Sequence, residues 1–143
     1  MSKEVINLKI HSQFSICEGA IKINQLSDFC KKNKVSAVGI CDNENLSGAL
    51  EFSNELSKLG IQPIIGTTIY LKDTVDKEIF YGKISLFAKN NKGYKNLLKL
   101  SSKSYLNLKD EDNKPNISFD LLTKYLDGII ILIGGSKSFF SDL

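Results

Sequence analysis

The chain has 143 residues, an apolar share of 42% and a net charge of +3 carried entirely by lysine, since no arginine occurs. This is about one domain's length with enough apolar content for a core, and the basic excess is too small and too poor in arginine to mark a duplex nucleic-acid binder by charge alone. The cysteines, Cys17, Cys30 and Cys41, are odd in number, lack CxxC spacing and accompany no evident signal peptide or long apolar segment, so reduced, semi-buried thiols in a cytoplasmic protein without disulfides are expected. The abundance of Lys, Asn and Ile points to an AT-rich genome, an inference about codons rather than partners.

The run Val5 to Ile10 alternates around Asn7 and Lys9 and predicts a strand ending at His11, followed by a turn through HSQFSICEG. Asn24 is a good N-cap for a helix in which Leu26, Phe29 and Cys30 recur at helical spacing, closed by Lys31, Lys32 and Lys34. Ala37 to Cys41 is a continuous apolar run of the kind found in parallel strands, and a helix from about Leu46 to Leu59 is closed by Gly60. Pro63 opens a third strand, Ile64 to Leu71, interrupted by Gly66. These β-α steps with short connections predict a parallel sheet or the start of a barrel. Residues 73–78 then read as a polar turn, and Ile79 to Ala88 as a strand antiparallel to the third. A helix from Lys92 to Tyr105 is expected to place Tyr94, Leu97, Leu98 and Ser101 on one face and Lys92, Lys95, Lys99 and Lys103 on the other. KDEDNKPN at 109–116 reads as a solvated loop, Ser118 caps a short helix to Tyr125, and Gly128 to Ile133 is one more buried strand before GGSK. A barrel begun this way needs more elements than these, so either the sheet is open and small or the residues are the N-terminal part of a longer protein.

Several groupings could carry chemistry. His11, Glu18 and Asp42 could converge at strand ends as ligands for Zn, Mn or Mg; the plainer reading is a lone histidine near a turn, a glutamate approaching a helix, and a strand-end Asp42 accepting N–H groups of the 43–47 turn. Lys9 shares a strand face with His11, and its ammonium opposes a nearby cation. The stripe Lys92, Lys95, Lys99 and Lys103 could follow a phosphate backbone, or be the solvated side of an amphipathic helix. The pair Gly134-Gly135 lacks the surroundings of a GxGxxG or Walker loop, and a single histidine gives no basis for a nucleophilic triad.

The blocks LKIHSQFSICEGAIKI, ICDNENLSGALEF, GIQPIIGTTIY and LFAKNNKGYKNLLKLSSKSYL, in this order and spacing, closely resemble the PHP domain family, in the branch at the N-terminus of bacterial DNA polymerase III alpha subunits. The resemblance covers nearly the whole chain and implies an α/β fold that is part of a distorted, TIM-like β/α barrel, mostly parallel with an added antiparallel strand. Metal-binding members carry His-x-His after the first strand, an acid in the following turn, Asp-His after the second strand and a glutamate after the third. On this chain those positions fall on Lys9 and His11, Glu18, Asp42 with Asn43, and Thr68, so Lys9, Asn43 and Thr68 depart from the pattern. The resemblance therefore implies a vestigial metal pocket with no catalytic residue and no metal of its own, in which Lys9 is expected to replace a cation and pair with Asp42 or Glu18.

The resemblance further implies a segment of a DNA-directed DNA polymerase that uses magnesium elsewhere. Its expected partners are the remainder of that alpha subunit, the separate proofreading exonuclease subunit, and DNA through the parent protein, with no membrane. Two other readings stay open: an active metal-dependent phosphoesterase, of 3′–5′ exonuclease or pyrophosphatase type, whose ligands are completed elsewhere, and a small nucleic-acid-binding module using Lys92, Lys95, Lys99 and Lys103.

Overall fold

The computed structural model describes residues 5–75, 77–108, 114–134 and 139, apart from the side chain of Val75. The elements are α1 (Ile23–Lys32), β1 (Ala37–Asn43), α2 (Ala49–Lys58), β2 (Gln62–Val75), β3 (Glu78–Ala88), α3 (Asn91–Leu106), β4 (Asn116–Ile117), α4 (Phe119–Thr123) and β5 (Ile129–Leu132). One sheet runs in the order β1-β2-β3-β5, with the short β4 also pairing β2. β1, β2, β4 and β5 share a direction and β3 opposes them, the expected mostly parallel arrangement with an added antiparallel strand.

Two apolar clusters hold the layers together. Ile23, Leu26 and Cys30 of α1 and Phe52 and Leu56 of α2 pack on Val38 and Ile40 of β1. Leu97 and Leu100 of α3 pack on Ile69, Leu71, Ile84 and Leu86 of the β2–β3 hairpin, with Ile117 and Leu122 completing the cluster. Because strand side chains alternate, the opposite face of the hairpin carries Thr68, Tyr70, Lys83 and Ser85, and the candidate site lies there.

Several expectations are corrected. The segment from Val5 to Ile10 lies along β1 but forms only an isolated bridge, Ile10 to Ile40. Gly39 N–H bonds Asn7 O and Cys41 N–H bonds Ile10 O, both at 2.8 Å, so a two-residue step on β1 faces a three-residue step on the first segment. The extra residue breaks the ladder as a bulge does. Gly39 is required there, since a Cβ would sit 2.4 Å from Leu8 O. The N-cap of α1 is Lys22 rather than Asn24, whose Oδ1 instead accepts from Gln25 N–H, and Phe29 is exposed rather than packed.

The polar turn expected over 73–78 is largely strand, because β2 and β3 pair residue for residue out to Val75 and Glu78. This end of the hairpin is an exposed two-stranded ribbon, which needs no apolar alternation and so leaves no sequence trace. The buried side of α3 is Gly93, Asn96, Leu97, Leu100 and Ser104, and Leu98 faces out. Asn116, expected in a loop, pairs with Tyr70 as the start of β4, whereas residues 109–113 lie outside the described residues. Ser118 does cap α4, its hydroxyl accepting from Leu121 N–H at 3.2 Å. Of the GGSK turn only Gly134 falls within the described residues.

Candidate functional site

β1 carries Asp42 and Asn43 to its carboxyl end, beside the turn that follows the first segment. Asp42 is buried there, and its Oδ1 accepts from Ser12 N–H at 2.6 Å and from the Ser15 hydroxyl at 2.7 Å, while Oδ2 accepts from the Ser12 hydroxyl at 2.7 Å. The serine hydroxyls pass the network on: Ser12 Oγ accepts from Phe14 N–H at 3.2 Å and Ser15 Oγ from Asn43 N–H at 3.0 Å. Asp42 therefore clamps the 12–15 turn and does not cap the 43–47 turn as expected. That task falls to Asn45, whose Oδ1 accepts from Ser47 N–H at 3.0 Å and whose amide nitrogen donates to Phe14 O and Asn43 O. The left-handed Glu44, at φ 62°, turns the chain so that Asn45 is the side chain within reach.

The second acid, Glu18, faces a cation, but not the expected one. Lys83, which pairs with Tyr70 across the hairpin, brings its Nζ to 3.4 Å from Glu18 Oε2, and the same oxygen accepts a short hydrogen bond from Asn43 Nδ2. Lys9 is exposed and, among the described residues, forms no ion pair with Asp42 or Glu18. The bulge beside Lys9 explains the difference, because it breaks the regular pairing that a strand-based reading assumes. Lys114, next to β4, donates to Tyr70 Oη at 3.2 Å and lies 4.0 Å from Glu44 Oε1. Tyr70 thus has one ammonium 5.4 Å and another 5.1 Å from its ring centroid, and it stacks on Tyr81 at 4.8 Å.

Partial burial pushes the Glu18 carboxyl up, but Lys83, Asn43 and Lys114 together outweigh it and hold the group below its ordinary value. The hydrogen bond to Tyr70, with Glu44 and Glu18, outweighs burial and raises the Lys114 ammonium above its ordinary value. Since the folded pKa of Glu18 is depressed, its contribution to stability is complete above the unfolded carboxylate range and fades as the pH falls through the folded value. Lys83→Met is expected to move the Glu18 titration upward in a carboxyl-carbon NMR experiment. An unchanged midpoint would show that Lys83 is not its counter-ion.

Thr68 is buried, and its hydroxyl lies 3.3 Å from both Cys41 Sγ and Ser85 Oγ. Burial raises the Cys41 and Cys30 thiols; both are fully buried and Cys17 is exposed, so none of the three is semi-buried, although all are free. The Nδ1 atom of His11 is buried without a hydrogen-bond partner. Among the described residues no three His, Cys, Asp or Glu side chains form a metal-binding cluster, so His11, Glu18 and Asp42 are not brought together as a ligand set. The residues present do not fit a divalent metal cluster: Asp42 uses both oxygens on serine groups, Glu18 meets an ammonium, and Asn43 and Thr68 supply no charge. Lys83, Tyr70, Lys114 and Ser85 are not singled out by the sequence. The Tyr70–Lys83 register follows once the hairpin is recognised, whereas nothing in the sequence announces that Lys114 arrives beside it. Lys92, Lys95, Lys99 and Lys103 lie on α3, which packs on the other face of the sheet, and they do not join this pocket.

Residues 7–143 match the sequence family described as the PHP domain. A DNA polymerase III subunit alpha from Borreliella burgdorferi is 42% identical over 132 residues, which cover 87% of this chain and 11% of that protein. Proteins of the same name from Haemophilus influenzae and Aquifex aeolicus are 34% and 38% identical, each over 92% of this chain, covering 11% and 12% of their own length. The chain thus spans about one ninth of the curated relatives it matches.

Proposed function

The chain belongs to the PHP domain family, and we propose that it serves as the N-terminal PHP segment of a bacterial DNA polymerase III alpha subunit, as a catalytically silent scaffold. The likeness to alpha subunits supports the polymerase assignment. In this reading the whole protein adds deoxynucleotides to a primer in chromosome replication, in the cytoplasm. The magnesium that this chemistry uses is held outside the PHP segment. The segment packs against the remainder of the alpha subunit and offers a docking surface to the proofreading exonuclease subunit. Among the described residues no helix is long and apolar enough to cross a membrane.

The observation that carries the silent role is the use of the acids: Asp42 is consumed by three hydrogen bonds and Glu18 by Lys83 and Asn43. A divalent ion would have to displace these groups before meeting its first carboxylate. Metal content and thermal stability of the purified protein, with Mn, Zn and Mg titrated against a chelated control, test the reading. No bound metal and no change in Tm is the expected result. A metal present at one hundred times its Kd would add about 2.7 kcal/mol to stability, an effect easily seen. Stoichiometric metal with such a shift would overturn the silent role in favour of the metal-dependent phosphoesterase, and release of phosphate or a nucleotide would then be assayed.

A further inference from the structure

The outward side of α3 conflicts with its own stability. In NKGYKNLLKLSSKSYL there are four lysines and no acid, and no acidic residue lies in the first turn, where the helix dipole favours one. Lys92, Lys95, Lys99 and Lys103 follow one another at spacings of three, four and four residues, each step a like-charge pair on one side of the helix. Among the described residues none of them meets a carboxylate in an ion pair, and only Lys99 has a ring contact, 5.6 Å from the Tyr125 centroid. Two leucines lie among these lysines: Leu98 is 42% exposed and Leu106 81% exposed. With Lys99, Ser102 and Lys103 they line a shallow groove of about 280 Å³. The other side of the helix is spent on the core through Leu97 and Leu100. Local choices that oppose the fold in this way are characteristic of functional surfaces.

We propose that the outward side of α3 is a docking site for an acidic, amphipathic protein segment, which sets apolar side chains on Leu98 and Leu106 and carboxylates on the flanking lysines. The inference rests on the docking role proposed above and assigns it a surface. The leucines favour a protein over nucleic acid, because a phosphate backbone would neutralise the lysines but leave both leucines against charge and water. Leu98 and Leu106 are about 12 Å apart along the helix, a separation matched by apolar positions two turns apart on a partner helix. Charge complementarity commits the occupant to an excess of Asp and Glu, since each lysine here is without an intramolecular counter-ion among the described residues.

The test uses the protein at its full native length and a labelled synthetic helical peptide with leucines at the Leu98–Leu106 spacing among glutamates. A control peptide has serine for leucine, and a DNA duplex is the third probe, all followed by fluorescence anisotropy. Salt-sensitive binding of the leucine peptide is expected, weakened at least about tenfold by Lys95→Glu/Lys99→Glu and by Leu98→Ser/Leu106→Ser. The glutamate pair should not lower Tm, since it relieves like-charge repulsion along the helix, and the leucine pair, at exposed positions, should change it little. Equal binding of the serine control, tighter binding of the duplex, or no binding would each overturn the proposal. Because metal content is read on the same preparations, failure of docking is distinguishable from failure of the silent-site reading.

Discussion

Asp42→Ala is expected to be among the most damaging single substitutions in this chain, lowering the free energy of unfolding by about 4 kcal/mol. The carboxylate receives Ser12 N–H and two serine hydroxyls, and the substitution leaves these donors buried with no acceptor of comparable charge. The loss spreads, because the Ser12 hydroxyl positions Phe14 N–H and the Ser15 hydroxyl positions Asn43 N–H. Asp42→Asn should cost less, about 2 kcal/mol, since hydroxyls can reverse and accept from the new amide while Ser12 N–H keeps an oxygen. The urea midpoint should fall in that order with an unchanged slope. An alanine variant as stable as the parent would show that the 12–15 turn is held by other contacts. If the family's metal still occupied this position, both variants would also lose metal-dependent stabilisation, so the pair bears on the proposed silent role as well.

Under the proposed silent role, the clamp and the Lys83 contact hold the shape of the strand-end pocket in place of a metal cluster. A metal cluster neutralises converging acids and ties together the loops that carry them. Here serine hydroxyls tie the loop to Asp42, and an ammonium faces Glu18 from the adjacent hairpin. The two tasks are divided between groups that the sequence places far apart. Glu18 is partly exposed, so the attraction of Lys83 is screened and the serine clamp contributes more of the rigidity.

The parts legible in the sequence are those set by local chemistry. Ala37 to Cys41 is readable because a strand covered on both faces is apolar at every position, and it extends only to Asn43. Gly60, left-handed at φ 70°, and the Ser118 cap are readable because few residues serve at those places. The bulge opposite Gly39 is not, since it arises from how two chain segments approach and alternation continues through it. Phe29 and Leu98 are misplaced by periodicity because spacing gives the phase of an apolar stripe only to within a residue or two. In the pocket, Asp42, Glu18 and Asn43 are found by position, but Ser12 and Ser15 look like ordinary turn residues until Asp42 is seen between them.

Gly93→Ala gives a result whose sign separates local propensity from tertiary packing. Alanine is favoured over glycine within a helix by about 1 kcal/mol, so propensity alone expects a gain. The structure expects a loss, because a Cβ on Gly93 would lie 1.8 Å from Gly128 O and 2.6 Å from its carbonyl carbon. Gly128 has little freedom to yield: its carbonyl accepts Lys89 N–H at 2.8 Å, its φ is 75°, and Asn90 lies against it while capping Gly93 N–H. Moving α3 outward instead would open the contacts of Leu97 and Leu100 with the sheet. Overpacking of this kind costs about 3 kcal/mol and outweighs the propensity gain, for a net loss of about 2 kcal/mol. Thermal and urea unfolding of the protein should therefore both shift down, while a synthetic peptide of residues 90–107 with the same substitution should gain helicity by circular dichroism. If protein and peptide both gained, the close approach of Gly93 and Gly128 would not hold in solution, and the angle at which α3 leaves β3 would be set by its apolar face alone.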